Sequence, residues 1–76
     1  MPSFRYTVDD EPQETTEHQL TARTILRNAG LNDAERYLIQ IEGRHQVSYK
    51  ETMDVSVQMH ENQKFITALI GVVPVS

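Results

Sequence analysis

The chain has no cysteine. That excludes a disulfide framework, a thiolate zinc site and a cysteine nucleophile, and it fits a reducing, cytoplasmic setting. It has no apolar run approaching the roughly 20 residues of a membrane span. Its opening residues, Met-Pro-Ser-Phe-Arg-Tyr, lack the apolar core of a signal peptide. Basic residues are few: seven against eleven acidic, a net charge of −4. A phosphate-binding surface needs concentrated positive charge, so nucleic acid is not an expected partner. The three glycines, Gly30, Gly43 and Gly71, lie far apart, which rules out a glycine-rich phosphate loop. Seventy-six residues make one domain, and a chain of that size buries only about 60% of its unfolded surface.

What is present is a sequence of short elements. In SFRYTVDD the residues Phe4, Tyr6 and Val8 alternate with Arg5 and Thr7, the pattern of a half-buried strand. DDEP follows as a turn, with Asp9 and Asp10 bonding their own backbone and Pro12 fixing its φ. QETTEHQL suits a polar strand at a sheet edge. Leu20, Ala22, Ile25, Leu26 and Ala29 then form one helical stripe over about residues 21–30. Thr21 is placed to cap its start; Gly30 and Leu31 are placed to end it. RYLIQIEG reads as a strand with Tyr37, Ile39 and Ile41 on one face and Leu38, Gln40 and Glu42 on the other. HQVSYK pairs back as a short hairpin partner. ETMDVSVQMHENQ is irregular, anchored by Val55, Val57 and Met59, and KFITALIGVV is the last strand.

This order predicts an α+β fold, a mixed sheet of four or five strands on a single helix. The helical stripe needs one sheet face to cover it, and Phe4, Tyr6, Ile39, Ile41 and Phe65 are expected to supply that face. The first and last strands, among the most apolar segments, are expected side by side and parallel in the sheet's centre.

The layout resembles the β-grasp, the fold of ubiquitin. In order and spacing FRYTVDDEP, LTARTILRNAGL, YLIQIEG and VSVQMHENQKF are similar to the bacterial multiubiquitin family of ubiquitin-like domains, over residues 4 to about 69. The resemblance implies a non-enzymatic protein modifier, attached through its C-terminus, whose partners are ubiquitin-activating-like and conjugating-like enzymes and a JAB-type metalloprotease. It implies no cofactor. The expected division is a ubiquitin-like domain over 1–70 and a C-terminal tail over 71–76.

That tail departs from the end of ubiquitin. A carboxylate that must thread a narrow channel to an activating enzyme is best carried on glycines, which have no Cβ, and ubiquitin ends in two. This chain ends IGVVPVS. Trimming after Gly71 would leave a terminal glycine; otherwise the end is non-glycine, or there is no conjugation. A sulfur carrier, which needs a terminal glycine, is disfavoured on the same ground. Alternatively Val72, Val73 and Val75 form an extra strand that pairs with a neighbouring subunit, making the chain a non-conjugated interaction or assembly module that self-associates through its tail. The tail packing back on its own domain, or lying disordered, is the plainest alternative.

Few residues offer chemistry. His60-Glu61 begins a zinc-protease pattern, but Lys64 stands where the second histidine belongs, so no metal site is expected and the pair is read as a turn. Asp9, Asp10 and Glu11 form an acidic trio that a solvated turn explains. Lys50 and Lys64 are the chain's lysines and hence its candidate acceptor amines. By analogy with ubiquitin's outer sheet face, the partner-binding surface is expected at Leu38, Gln40 and Thr67. Gln40 would there replace an exposed isoleucine, giving a more polar patch. A one-residue error of register would invert this assignment.

Overall fold

The computed structural model describes residues 3–71. The chain begins with a hairpin of β1 (Phe4–Val8) and β2 (Glu11–Thr15). Its two-residue loop, Asp9-Asp10, has φ of 51° and 67°, the type I′ geometry whose twist matches the flanking strands. Aspartate tolerates positive φ better than most residues. The Asp9 carboxylate does not turn back on its own backbone as expected. It accepts from the Thr67 N–H at 2.9 Å and the Thr67 hydroxyl at 2.6 Å, tying this turn to the last strand.

A three-residue strand, β3 (Gln19–Thr21), leads into α1 (Ala22–Asn28). The helix starts where its capping chemistry says it should. The Thr21 side chain accepts from the Thr24 N–H at 3.1 Å, satisfying one of the donors a helix start leaves free. The helix ends in a Schellman motif: Gly30 N–H donates to the Arg27 carbonyl and Leu31 N–H to the Leu26 carbonyl, both at 3.0 Å. Gly30 has φ of +78° there, a region that costs other residues strain.

The remaining strands are β4 (Arg36–Glu42), β5 (His45–Ser48), β6 (Ser56–Gln58) and β7 (Gln63–Leu69). Five of the strands form one sheet in the order β2-β1-β7-β4-β5, and β3 pairs with β6 in a separate two-stranded ribbon. β1 and β7 are adjacent and parallel, with Tyr6 opposite Gln63 and Val8 opposite Phe65, as expected. β4 runs antiparallel to β7 and β5. A mixed five-stranded sheet clasping one helix is the α+β β-grasp, the ubiquitin-like fold.

The core lies between α1 and one sheet face. Ile25, Leu26, Leu38 and Phe65 are fully buried in it, joined by Tyr6, Val8, Ala22, Met53, Val57 and Met59. Tyr6 meets Phe65 edge to face, with ring centroids 5.8 Å apart, a favoured aromatic geometry. Val55, expected as an anchor, is instead 52% exposed, and Met53 fills that role. Met53 also closes the structure through its carbonyl, which accepts from Arg23 N–H at 3.0 Å.

One expected face is inverted. Leu38 is 0% and Gln40 7% exposed, on the helix side, whereas Ile39 and Ile41 are half-buried on the opposite face. The cause is pairing with β7: Leu38 lies opposite Thr67 and Gln40 opposite Phe65, so the row that holds Phe65 must point inward. Period two then sends Ile39 and Ile41 outward.

Candidate functional site: the outer sheet face and the end of the last strand

Alternation along paired strands assembles the outer face. Ile39 lies opposite Ile66, Tyr37 opposite Ala68 and Ile41 opposite Lys64, and directly opposed residues share a face. Ile39, Ile41, Ile66 and Ala68 are each half-buried. They form an apolar row over the two central strands, on the side away from the helix. Cations stand at both ends. The Lys50 ammonium lies 5.7 Å from the Tyr37 ring centroid, within range of a cation–π attraction. At the other end a surface depression of about 280 Å³ is lined by residues that include Arg5, Thr7, Pro12 and Lys64. Arg5 there faces the Glu14 carboxylate at 3.6 Å.

The residues expected to form this surface divide. Leu38 belongs to the core and Gln40 is buried, so neither is available to a partner. The Gln40 amide is satisfied internally, accepting from the Tyr49 hydroxyl and donating to Glu42 Oε1, both at 3.1 Å. Burial, and secondarily the Glu42 charge, raises the Tyr49 pKa; the phenol stays protonated and so remains the donor. Thr67 is half-buried on the Leu38 side and engaged with Asp9; its hydroxyl also accepts from Arg36 Nη1 at 3.1 Å. The surface is therefore more apolar than expected, because isoleucines replace Gln40 on it. Sequence reasoning missed Ile66 and Ala68. The signal that finds them is their register against Ile39 and Tyr37.

The end of β7 is the second part of the site. Leu69 is 55% exposed and Ile70 37%. The Ile70 N–H donates to the Glu35 carbonyl at 2.7 Å, holding the chain against the loop before β4. Gly71 follows, exposed, with φ of +60° and nothing within 4 Å of where a Cβ would stand. Space thus tolerates a side chain there, while the backbone angle favours glycine. The tail of Val72, Val73 and Val75, and with it the expectation of an added strand, lies outside the described residues.

The candidate acceptors Lys50 and Lys64 are both exposed. Asp10 and Glu11 are exposed at the hairpin. The histidines do not converge: His18 lies edge-on to Phe4 at 5.5 Å, His45 is on β5, and His60 precedes the turn into β7. Among the described residues no group of three or more His, Asp or Glu side chains is placed to hold a metal ion. No described helix is long and apolar enough to cross a membrane. Compared with family models, with curated proteins and with solved structures, the chain matches none.

Proposed function

We propose that this chain is a bacterial ubiquitin-like protein modifier, attached to its targets through its C-terminal segment after trimming to Gly71. The observation that carries the reading is the position of Gly71: exposed and just past the central strand of a β-grasp sheet. A carboxylate placed there would stand clear of the domain, on a residue without a Cβ. The arm left by such trimming is short, because Ile70, the residue before Gly71, is tied to the Glu35 carbonyl. An activating-like enzyme must therefore accept the end of β7 at close range. A conjugating-like enzyme and a JAB-type metalloprotease complete the set of partners, in the cytoplasm, with Lys50 and Lys64 as the amines for any chain formation.

The outer apolar row is the surface such partners would read. Its isoleucines stand between Lys50 at one end and Arg5 and Lys64 at the other, so it suits an apolar segment flanked by acidic residues. Intact-mass measurement on protein from the native host tests attachment. A species ending at Gly71, with adducts of that form on other proteins, is the expected result. Only untrimmed protein and no adducts would overturn it. Ile66→Glu tests the surface: the variant is expected to fold and to lose recognition by the conjugating-like enzyme. Unchanged transfer would discard the outer face as the reading surface.

A further inference from the structure

The two edges of the sheet carry opposite charge. Residues 9–17, which contain β2, hold five acidic side chains and no basic one; residues 44–50, which contain β5, hold the cations Arg44 and Lys50 and no acidic residue. β2 and β5 are the outermost strands on either side of one sheet, and every residue of β5 is exposed. A free edge presents unpaired N–H and C=O groups to another strand.

Which groups those are follows from the ladder. Tyr49 N–H donates to the Leu38 carbonyl at 2.8 Å, so alternation makes Gln40 with Val47 a hydrogen-bonded pair and turns the amides of Gln46 and Ser48 outward. On the other side Asp9 N–H donates to Phe65. Alternation then directs Val8 and Tyr6 to β2, and Pro12 and Glu14 outward. Proline at that position leaves the β1 ladder intact and removes one outward donor, as edge prolines do.

We propose that this chain self-associates head to tail, β5 of one copy pairing antiparallel with β2 of the next to continue the sheet. β5 and β2 run in opposite directions within one sheet, so copies related by translation meet antiparallel. Pairing Gln46 with Glu14 of the next copy matches the faces and satisfies every outward amide except the one Pro12 lacks. It also sets Lys50 opposite Asp10. A two-fold pairing of β5 with β5, or β2 with β2, would oppose like charges, which destabilises a strand pair. Arg5 beside Glu14 offsets part of the acidic charge; among the described residues no ion pair involves Asp10, Glu11 or Glu17. The contact is heterologous and non-closing. Its area is small, so association is weak, with a Kd on the order of 1 mM. This surface differs from both the outer face and the tail, and holds whether or not the chain is conjugated.

The test uses the full chain in two blocked forms, Glu14→Pro and Gln46→Pro, each removing an outward amide on one edge alone. Sedimentation and ¹⁵N NMR titration are run on each and on their mixture. Head-to-tail pairing predicts that each alone associates at least about fivefold more weakly than wild type, and that the mixture forms a one-to-one heterodimer at wild-type strength and stops. Dimerisation of the Glu14→Pro form by itself at wild-type strength would overturn it in favour of symmetric pairing. Pro12→Thr, which restores the missing donor, is expected to tighten wild-type association about fivefold, one neutral hydrogen bond. Raising salt to about 1 M, where screening reaches about 3 Å, is expected to weaken it. Should a proline form lose its folded circular dichroism, the wild-type titration decides. Concentration-dependent shifts at both β2 and β5 support the pairing; shifts at one edge only, or none up to about 2 mM, overturn it.

Discussion

Leu38 and Ile39 are neighbours on one strand, equal in size and in hydrophobicity, yet Leu38 is wholly buried and Ile39 only half. Leu38 shares the buried core with Ile25 and Leu26 of the helix and with Phe65 of the neighbouring strand. On the other face Ile39 stands in a row with its cross-strand neighbours Ile66 and Ser48, and no described helix or strand covers them. The same apolar chemistry therefore does two jobs: one row holds the fold, and the other is a surface. A strand apolar on both rows is usual where both faces are covered. Here one face is not covered by any described element, which leaves that row as an apolar surface.

The sharpest way to break this comparison is to truncate each row in turn. Phe65→Ala is expected to cost about 3–5 kcal/mol and Leu38→Ala about 2–5, from lost burial and the cavity left behind. Whole domains are stable by only about 5–15 kcal/mol, so either variant will be partly unfolded or close to it. Ile39→Ala is expected to cost about 1 kcal/mol and to leave urea unfolding cooperative. A larger loss for Ile39 than for Leu38 in urea titrations would mean that β4 is registered the other way and that the outer face has been misassigned.

The same two residues show how far the sequence could be read. Thr21, Gly30 and Leu31 were legible because a cap and a Schellman motif are local, closed within a few residues. The central position of β1 and β7 was legible because central strands must be apolar, and their parallel pairing followed from the usual arrangement of such a layout. The facing of β4 was not. YLIQIEG has hydrophobic residues on both rows, so alternation alone cannot choose between them. The choice is made by Phe65 across the ladder, and by the Tyr49 hydroxyl and Glu42, which let Gln40 stay buried. Those contacts are invisible without the fold. Val55 failed for a similar reason: the backbone of residues 52–55 turns there, with Val55 N–H donating to the Thr52 carbonyl, and puts Met53 inside. The ribbon of β3 with β6 joins Leu20 to Val57 across about half the chain, and no local pattern announces it. Of the candidate site, the exposure of Gly71, Lys50 and Lys64 was readable, and the inward facing of Leu38 and Gln40 was not.

Smaller changes act on the covered face alone and sharpen the contrast. Gly30→Ala forces a Cβ into a left-handed backbone and is expected to cost about 1–2 kcal/mol. It does so without any clash, since nothing lies within 4 Å of the added atom. Thr21→Ala removes the cap and is expected to cost about 1 kcal/mol. In both variants amide shifts should concentrate around α1 and leave Ile39, Ile41 and Ile66 near their wild-type positions. Shifts spreading through the outer row would show the two faces to be one mechanical unit.

The smallest expected effect lies in the ion pairs that strap the helix start to its surroundings. Arg23 donates to Asp33 Oδ2 at 2.7 Å, in the loop before β4, and to Asp54 Oδ1 at 2.8 Å, in the segment before β6. Its hydrogen bonds, chiefly to Asp54 and then Asp33, raise the guanidinium pKa further beyond any working pH. The same bonds hold both carboxyls below the ordinary aspartate value of 3.8. A group whose pKa is lower folded than unfolded adds stability above the unfolded value, and loses it as pH falls through the folded one. Above about pH 5, where unfolded aspartate is ionised, Arg23→Met should therefore be less stable than wild type by a constant margin. The margin should shrink below pH 3.8 as the carboxyls protonate. Only 18% of the Asp33 side chain is exposed against 79% of Asp54, so screening weakens the Asp54 bond more, and Asp33→Asn should reproduce more of the effect than Asp54→Asn. A margin that stays level to pH 2 in thermal melts would show that the two carboxylates contribute nothing to it.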